Sequence, residues 1–423
     1  MRVLIIGSGG REHAIAWKLS QSSKLDSLFC APGNPGTARF SQNLIIDIKN
    51  FKEIGDVVLK NSINMVVVGP EEPLVKGLRD YFENDPILKK VLFIGPGSAG
   101  AQLEGSKDFA KGFMEKYGIP TAGYMSFNAG SLSEAESFLE SLTPPYVLKA
   151  DGLAAGKGVI IENDILKAKA ELREMFSGKF GEAGKRVVIE EFLSGIELSV
   201  FVLTDGKGYL ILPEAKDYKR VGDGDTGLNT GGMGAVSPVP FADEKFMKKV
   251  EKRIIKPTID GLKSEGIDYK GFIFIGLMNC FGEPYVIEYN VRMGDPETEA
   301  VLPRIESDLL EHFIALGSNK LDKEKIVIGD KTALTLVMTS GGYPGTFEKG
   351  VEIELDECLE NITLFHSGTS IVDDKLVTSG GRVMALTVLS KDIEEGRKEL
   401  YKLTSHVKFK RKYFRNDIGL DLI

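Results

Sequence analysis

Over the first hundred residues, short β-branched runs alternate with stretches of helical period. Arg2–Ile6, Leu28–Cys30, Met65–Val68 and Leu92–Ile94 predict strands, and Glu12–Ser20, Ile54–Lys60 and Lys76–Phe82 predict helices. Such βαβ repetition implies a parallel sheet with helices on both faces. Gly7-Ser8-Gly9-Gly10, Ala31–Gly36, Gly69-Pro70 and Gly95-Pro96-Gly97 punctuate the strand ends, where open α/β sheets bind small molecules. The pattern then changes. A helix over Ser133–Ser141, the strands Tyr146–Ala150 and Val159–Glu162, a helix over Ile165–Phe176 and the strand Arg186–Glu191 predict a small separate unit. Longer strands follow at Leu198–Leu203, Tyr209–Pro213, Phe272–Asn279 and Tyr285–Tyr289, and residues 331–423 are strand-rich. The expected division is 1–122, 123–190, 191–330 and 331–423.

At 423 residues the chain exceeds what one core organises. Its net charge of -8 argues against a nucleic-acid surface. The basic cluster Lys408, Lys410, Arg411, Lys412 and Arg415 is read as a solvated face, with Phe409, Tyr413 and Phe414 packing inward. Three separated cysteines and four scattered histidines suggest neither a disulfide framework nor a zinc site. The longest apolar stretch, near Phe272–Met278, is too short to span a membrane. These features predict a soluble, cytoplasmic protein with no nucleic-acid or membrane partner.

Five segments carry candidate chemistry. Gly7-Ser8-Gly9-Gly10-Arg11-Glu12 has Glu12 where a dinucleotide fingerprint needs its third glycine, which leaves a smaller phosphate at the helix start, or a plain tight turn. In Lys149–Gly158 two lysines, Lys149 and Lys157, flank small residues, including Gly156, that let backbone amides approach phosphate oxygens. Glu190-Glu191-Phe192-Leu193 with Glu197 reads either as an edge strand or as a hinge meeting an adenine edge and a ribose. Period-two alternation aligns Glu288, Asn290 and Arg292 on one strand face; hard oxygens of this kind suit Mg²⁺ on phosphates, with Arg292 neutralising a transferring phosphoryl group. The alternative is a Glu288–Arg292 ion pair on a solvated face. The long loop from Asp217 to Gly234, with Lys219 and Arg220, invites an anionic substrate or is a solvated surface loop.

Taken with Leu103–Lys107 (LEGSK), Asn229–Ala235 (NTGGMGA) and Arg292-x-Gly-Asp-Pro-Glu297, these segments resemble the glycinamide ribonucleotide synthetase (phosphoribosylamine–glycine ligase) family of the ATP-grasp superfamily. Arg382 in Gly380-Gly381-Arg382-Val383 continues the match to the end of the chain. The resemblance implies an α/β and α+β multidomain protein: an N-terminal Rossmann-like substrate domain, an ATP-grasp lid and central catalytic domain, and a small strand-rich C-terminal domain. It implies ATP-dependent ligation of glycine to 5-phosphoribosylamine through glycyl phosphate, an early step of purine synthesis. By carry-over, Arg292, Asp295 and Lys157 are catalytic, and Lys107, Lys149, Gly156, Glu190, Glu191, Leu193 and Glu197 hold ATP. Gly9, Gly10, Arg11, Glu12, Glu71, Pro73, Asp217, Lys219, Arg220, Asn229, Gly294, Pro296 and Glu297 face substrates, and Glu288 and Asn290 hold Mg²⁺ or Mn²⁺. A monomer with transient contact to the preceding pathway enzyme is expected.

The chain departs from the family pattern at Lys216 (Gln expected), Tyr218 (His), Leu228 (Pro) and Met293 (Phe or Leu). Tyr218 cannot exchange a proton near neutrality as His does. The strand Phe272–Asn279 offers no second acid for a metal, which would then lean on phosphates and water. Two rival readings are another ATP-grasp carboxylate–amine ligase and an ATP sensor without turnover.

Overall fold

The computed structural model describes residues 1–153, 158–356 and 363–423. The predicted first sheet is present: five parallel strands in the order Gln42–Asn43, Ser27–Pro32, Arg2–Gly7, Met65–Val68 and Leu92–Ile94. Alternate residues of these strands serve two cores. Leu4, Ile6, Val66 and Val68 join a cluster with Val200, Ile273 and Ile275 of the central sheet, whereas Val3, Ile5, Met65 and Val67 join one with Phe201, Phe274 and Phe313. The strand period therefore determines which layer each side chain fills. The helix expected over Lys76–Phe82 is instead two, Glu71–Val75 and Leu78–Asn84, because Gly77 turns left-handed (φ 85°) between them.

Residues 124–190 form a four-stranded antiparallel sheet, Tyr124–Asn128, Arg186–Glu190, Tyr146–Ala150 and Val159–Glu162, covered by the helices Leu132–Ser141 and Ile165–Glu174. Its core, including Leu139, Leu148, Leu172 and Ile189, is separate from the others. Next comes the central antiparallel sheet Tyr209–Ile211, Ile196–Thr204, Gly271–Cys280 and Glu283–Asn290. The C-terminal five-stranded sheet takes two strands, Lys216–Asp217 and Gly234–Ser237, from before residue 331, and adds Thr332–Thr339, Arg382–Ser390 and Thr363–His366.

Two surface expectations change. The loop after Asp217 is not structureless, since Arg220–Gly222 pairs with Thr226–Asn229 as a hairpin. Arg415 does not belong to a solvated basic face: it is 1% exposed, with Nη1 2.7 Å from Asp225 Oδ1 and Nη2 2.6 Å from Asp417 Oδ2, because burying a guanidinium requires paired anions. Among the described residues no helix is long and apolar enough to cross a membrane.

Candidate active site

Just past the end of the strand Glu283–Asn290, the first Gly-rich loop meets the chain at Met293 and Asp295 through Arg11. Glu288 lies in the fields of Lys219, Lys149, Lys107 and Arg292. Burial alone would raise its carboxyl, but these cations hold it below the ordinary range, so it stays ionised. The strand stops at Asn290, so Arg292 does not share its face as expected. It folds back instead, and its Nη2 donates to Asn290 Oδ1 at 3.0 Å and to Glu104 Oε1 at 2.6 Å, while Nε lies 3.3 Å from Glu71 Oε2. Burial raises Glu104 to about 7, with Arg292 opposing. Glu71, also raised by burial, is drawn below its ordinary value by Arg292 and Arg11.

The lysines come from either side of this carboxylate. Lys107 opens the helix Lys107–Lys116, capped by Ser106, whose Oγ accepts from the Phe109 amide at 3.1 Å; its Nζ donates to the Gly152 carbonyl at 3.4 Å. Lys149, on the strand Tyr146–Ala150, places Nζ 2.9 Å from Glu190 Oε1 and donates to the Ile287 carbonyl at 3.1 Å. Gly156 and Lys157 lie outside the described residues. Glu190 is buried at the end of its strand, Glu191 is exposed and Leu193 is half-buried. Beside them Phe192 and Ile196 leave apolar surface open to solvent, 41% and 47% exposed, an edge that a flat heterocycle could cover. Glu197 is engaged by Lys219, Nζ to Oε2 2.6 Å.

A second cluster joins three sheets. Arg11 Nε lies 2.6 Å from Glu12 Oε1, its Nη1 donates to the Met293 carbonyl at 3.1 Å, and its amide donates to Asp295 Oδ2 at 3.3 Å. Asp295 Oδ1 is 3.0 Å from Arg382 Nη2, and Arg382 Nη1 also donates to the carbonyls of Gly231 (2.6 Å) and Asp295 (2.5 Å). Glu12 is 2% exposed and accepts from the Gly9 amide at 2.5 Å, so it caps the helix Gly10–Leu19 from within. A Cβ at Gly10 would lie 2.2 Å from Glu299 Oε1, so the fully buried Glu299 carboxylate would have to shift to admit one. Pro73 is buried in the adjoining helix Glu71–Val75.

The third group is acidic. Burial raises both Asp217 and Glu297, Glu297 to about 7; Lys219 opposes the rise at Asp217 while Glu197 and Glu288 add to it, and Asp217 adds to the rise at Glu297. Ser199 Oγ donates to Glu297 Oε1 at 3.4 Å. Gly294 and Pro296 are buried beside Glu297, Arg220 Nη1 donates to the Gly227 carbonyl at 2.8 Å, and Asn229 is exposed on the hairpin. The departures at 216 and 218 have a structural explanation. Tyr218, 2% exposed, donates to Asp421 Oδ1 at 2.6 Å and accepts from the Gly419 amide at 2.8 Å, and Lys216 pairs with the same Asp421. Both side chains thus face the C-terminal segment and away from the acids. Among the described residues, no three His, Cys, Asp or Glu side chains converge to hold an ion by themselves.

Sequence reading gives no site role to Glu104, Arg382 or Lys111, although the family resemblance reaches Arg382. Glu104 and Arg382 stand inside motifs that resemble the family, and that was their only signal; Lys111 had none, since nothing local marks it as buried.

Three domain models of phosphoribosylglycinamide synthetase match the chain in succession: the N domain over residues 1–104, the ATP-grasp (A) domain over 105–298 and the C domain over 333–421. The chain belongs to the phosphoribosylglycinamide synthetase family. It is 44% identical to the phosphoribosylamine–glycine ligase of Agrobacterium fabrum, over 100% of this chain and 99% of that protein. It is also 44% identical to a bifunctional purine biosynthetic protein of Pichia angusta, covering 99% of this chain but 53% of the relative. Among solved structures, phosphoribosylamine–glycine ligase from Thermotoga maritima superposes with a TM-score of 0.86 at 36% identity, covering 99% of this chain and all of that one. The ATP-grasp (A) domain model spans both the four-stranded sheet of residues 124–190 and the central sheet.

Proposed function

We propose that the chain ligates glycine to 5-phosphoribosylamine with ATP, giving glycinamide ribonucleotide, ADP and phosphate in purine synthesis. The observation that carries the reading is the set of four cations, Lys107, Lys149, Lys219 and Arg292, gathered around the ionised Glu288, with Arg11 and Arg382 close by on Asp295. Family membership supplies the reaction; this charge arrangement suits it, since acyl-phosphate chemistry needs oxyanions placed and neutralised.

ATP would lie between lid and central sheet. Lys107, Lys149 and Lys157 would hold its phosphates, with Gly156 in the loop, the hinge backbone at Glu190, Glu191 and Leu193 would meet adenine, and Glu197 would meet ribose. Glu288 and Asn290 fit a hard divalent cation as a two-oxygen donor set, completed by phosphates and water. Mg²⁺ or Mn²⁺ held there would neutralise phosphate charge. The glycine carboxylate attacks the γ-phosphorus and ADP leaves, with Arg292 beside the transferring group. The amine of phosphoribosylamine then attacks the acyl carbon, and phosphate leaves. Gly9, Gly10, Arg11, Glu12, Glu71 and Pro73 would frame the phosphoribosyl group, with Asp295 fixing Arg11 and Arg382 against it. Lys219, Arg220, Asn229, Gly294, Pro296 and the acids Asp217 and Glu297 would line the amino-acid side, where a substrate ammonium meets negative charge. Catalysis in the cytoplasm is part of this reading.

A coupled ADP-release assay, omitting each substrate in turn, tests it. Release that requires glycine and phosphoribosylamine together is expected. Release with another carboxylate and none with glycine would assign the chain to a different ATP-grasp ligase, and tight ATP binding without any turnover would make it a sensor.

A further inference from the structure

The lid is joined to the rest of the chain at two crossings, near 120–123 and 190–196, and one buried lysine touches both. Lys111, on the helix Lys107–Lys116, is 2% exposed. Its Nζ donates to Thr121 Oγ1 at 2.8 Å and to the Ala122 carbonyl at 3.2 Å at the entry, and lies 3.0 Å from Glu190 Oε2 at the exit. Around it the crossings are pinned to each other and to the central sheet. The Glu191 amide donates to the Gly123 carbonyl at 2.9 Å, Thr121 Oγ1 donates to the Val286 carbonyl at 2.7 Å, and the Val286 amide donates to the Pro120 carbonyl at 2.8 Å.

The other oxygen of Glu190 faces a different lysine. Oε1 lies 2.9 Å from Lys149 Nζ, so one buried carboxylate, 3% exposed, stands between two ammonium groups. The two lysines differ in surroundings. Lys111 is enclosed by the hinge, with the Tyr124 ring 5.4 Å away, whereas Lys149 belongs to the cation set around Glu288. Burial pulls Lys111 down to about 8, with Glu190 opposing, which leaves it charged near neutrality.

We propose that Lys111 is a positioning residue that keeps Glu190 neutralised inside the hinge, so that Lys149 can leave that carboxylate for the phosphates of ATP. A buried carboxylate stripped of its last cation is strongly destabilised. With Lys111 present, Lys149 exchanges one anion for another while Glu190 keeps its partner. Without Lys111, Lys149 is the only cation among the described residues left against Glu190, and ATP must compete with that pair. The inference rests on the reading of Lys149 as a phosphate ligand.

The experiment is titration calorimetry with ATP, glycine omitted, on the full chain and on Lys111→Met and Lys111→Met/Glu190→Gln, together with steady-state kinetics. Lys111→Met is expected to raise the ATP Kd and KM about tenfold, a factor that corresponds to about 1.4 kcal/mol, with a smaller change in kcat. The double variant, in which no buried carboxylate retains Lys149, is expected to recover most of that loss. A purely structural Lys111 would give the opposite order, because the double variant loses more hinge contacts. If Lys111→Met fails to fold, Lys111→Gln, alone and with Glu190→Gln, carries the same expectations while keeping an amide donor. An ATP Kd unchanged in the single variant, or a double variant that binds no better than the single, overturns the inference. A parent protein that binds no ATP at all overturns the nucleotide site itself, which separates the two failures.

Discussion

Replacing Asp295 by Asn removes the negative charge shared by Arg382, Arg11 and Arg292 while preserving the shape of the side chain. Oδ1 is 3.0 Å from Arg382 Nη2 and Oδ2 accepts from the Arg11 amide at 3.3 Å; the side chains of Asp295 and Arg382 are only 13% and 21% exposed. Breaking one partner of such a buried pair costs about 3–5 kcal/mol. The amide oxygen can still accept, and Arg382 keeps its bonds to the carbonyls of Gly231 and Asp295, so the cost falls to just below that range, about 2–3 kcal/mol. For a folding unit of this size each kcal/mol moves the midpoint by about 2–4 °C, so the expected drop is roughly 5–10 °C by scanning calorimetry near pH 7. Because the contact is largely shielded, raising the salt should leave the drop in place. Burial raises the Asp295 carboxyl, but Arg382 and Arg11 outweigh it and hold the group below its ordinary value of 3.8. Its contribution is therefore full above that value and fades as pH falls towards the folded-state pKa. The parent–variant difference should shrink below about pH 4. A drop under about 2 °C at neutral pH, or one that stays constant into acid, would refute the view that this carboxylate binds the three sheets together.

Glu288→Gln should keep the far-UV circular dichroism of the parent and lose at least about a hundredfold of its Mg²⁺-dependent kcat; an unchanged kcat would remove Glu288 from the site. Glu297 is raised to about 7, by burial and then by Asp217, so the folded protein holds its proton more tightly than the unfolded chain does. Its stabilising contribution is complete below about 4.5 and is lost as pH climbs through about 7. Urea denaturation should show Glu297→Gln gaining on the parent across that interval by about 3 kcal/mol, and a gap that does not vary with pH would contradict the assignment. Tyr218→Phe removes the hydroxyl that bridges Asp421 and the Gly419 amide. It should cost about 1–3 kcal/mol of stability with kcat within about twofold of the parent; a collapse of kcat would return this position to the chemistry.

What the chain reveals in advance follows the range of the forces involved. Met65–Val68 and Leu92–Ile94 have the predicted limits because an apolar run in a parallel sheet is bounded by local chemistry. The split at Gly77 has a local cause too, a glycine whose left-handed turn separates two short helices. Period-two reasoning placed Glu288 and Asn290 together, but it overran the strand and missed the turn that brings Arg292 back onto Asn290. Contacts that span the chain are another matter. Glu104 meets Arg292 across 188 positions and Arg382 meets the Asp295 carbonyl across 87, and no local pattern in one sequence encodes such pairs. Arg415 illustrates the same limit, since five basic residues in eight positions look solvated until Asp225 and Asp417 are seen to enclose one of them. Family resemblance reached Arg382 where periodicity could not, because a motif carries the outcome of long-range packing without its geometry.

Cations of the proposed site already rest on internal acids: Lys149 on Glu190, Lys219 on Glu197, Arg292 on Glu104 and Arg382 on Asp295. Substrate oxyanions entering this region would therefore exchange with protein carboxylates for their cations, and would meet few cations held in water. Such exchange lowers the desolvation cost of assembling a triphosphate, a carboxylate and a sugar phosphate in one enclosed place. It also obliges the displaced acids to find another partner or a proton. Glu104 and Glu297, both raised to about 7, can take a proton near neutrality, whereas Glu190 has Lys111. Among the described residues the sheet of residues 124–190 has an apolar core of its own, so movement of the proposed lid would disturb mainly polar contacts at the hinge. On the proposed reading, closure and charge exchange would become one event, in which the anions that draw the lid down are those that release its lysine from the hinge.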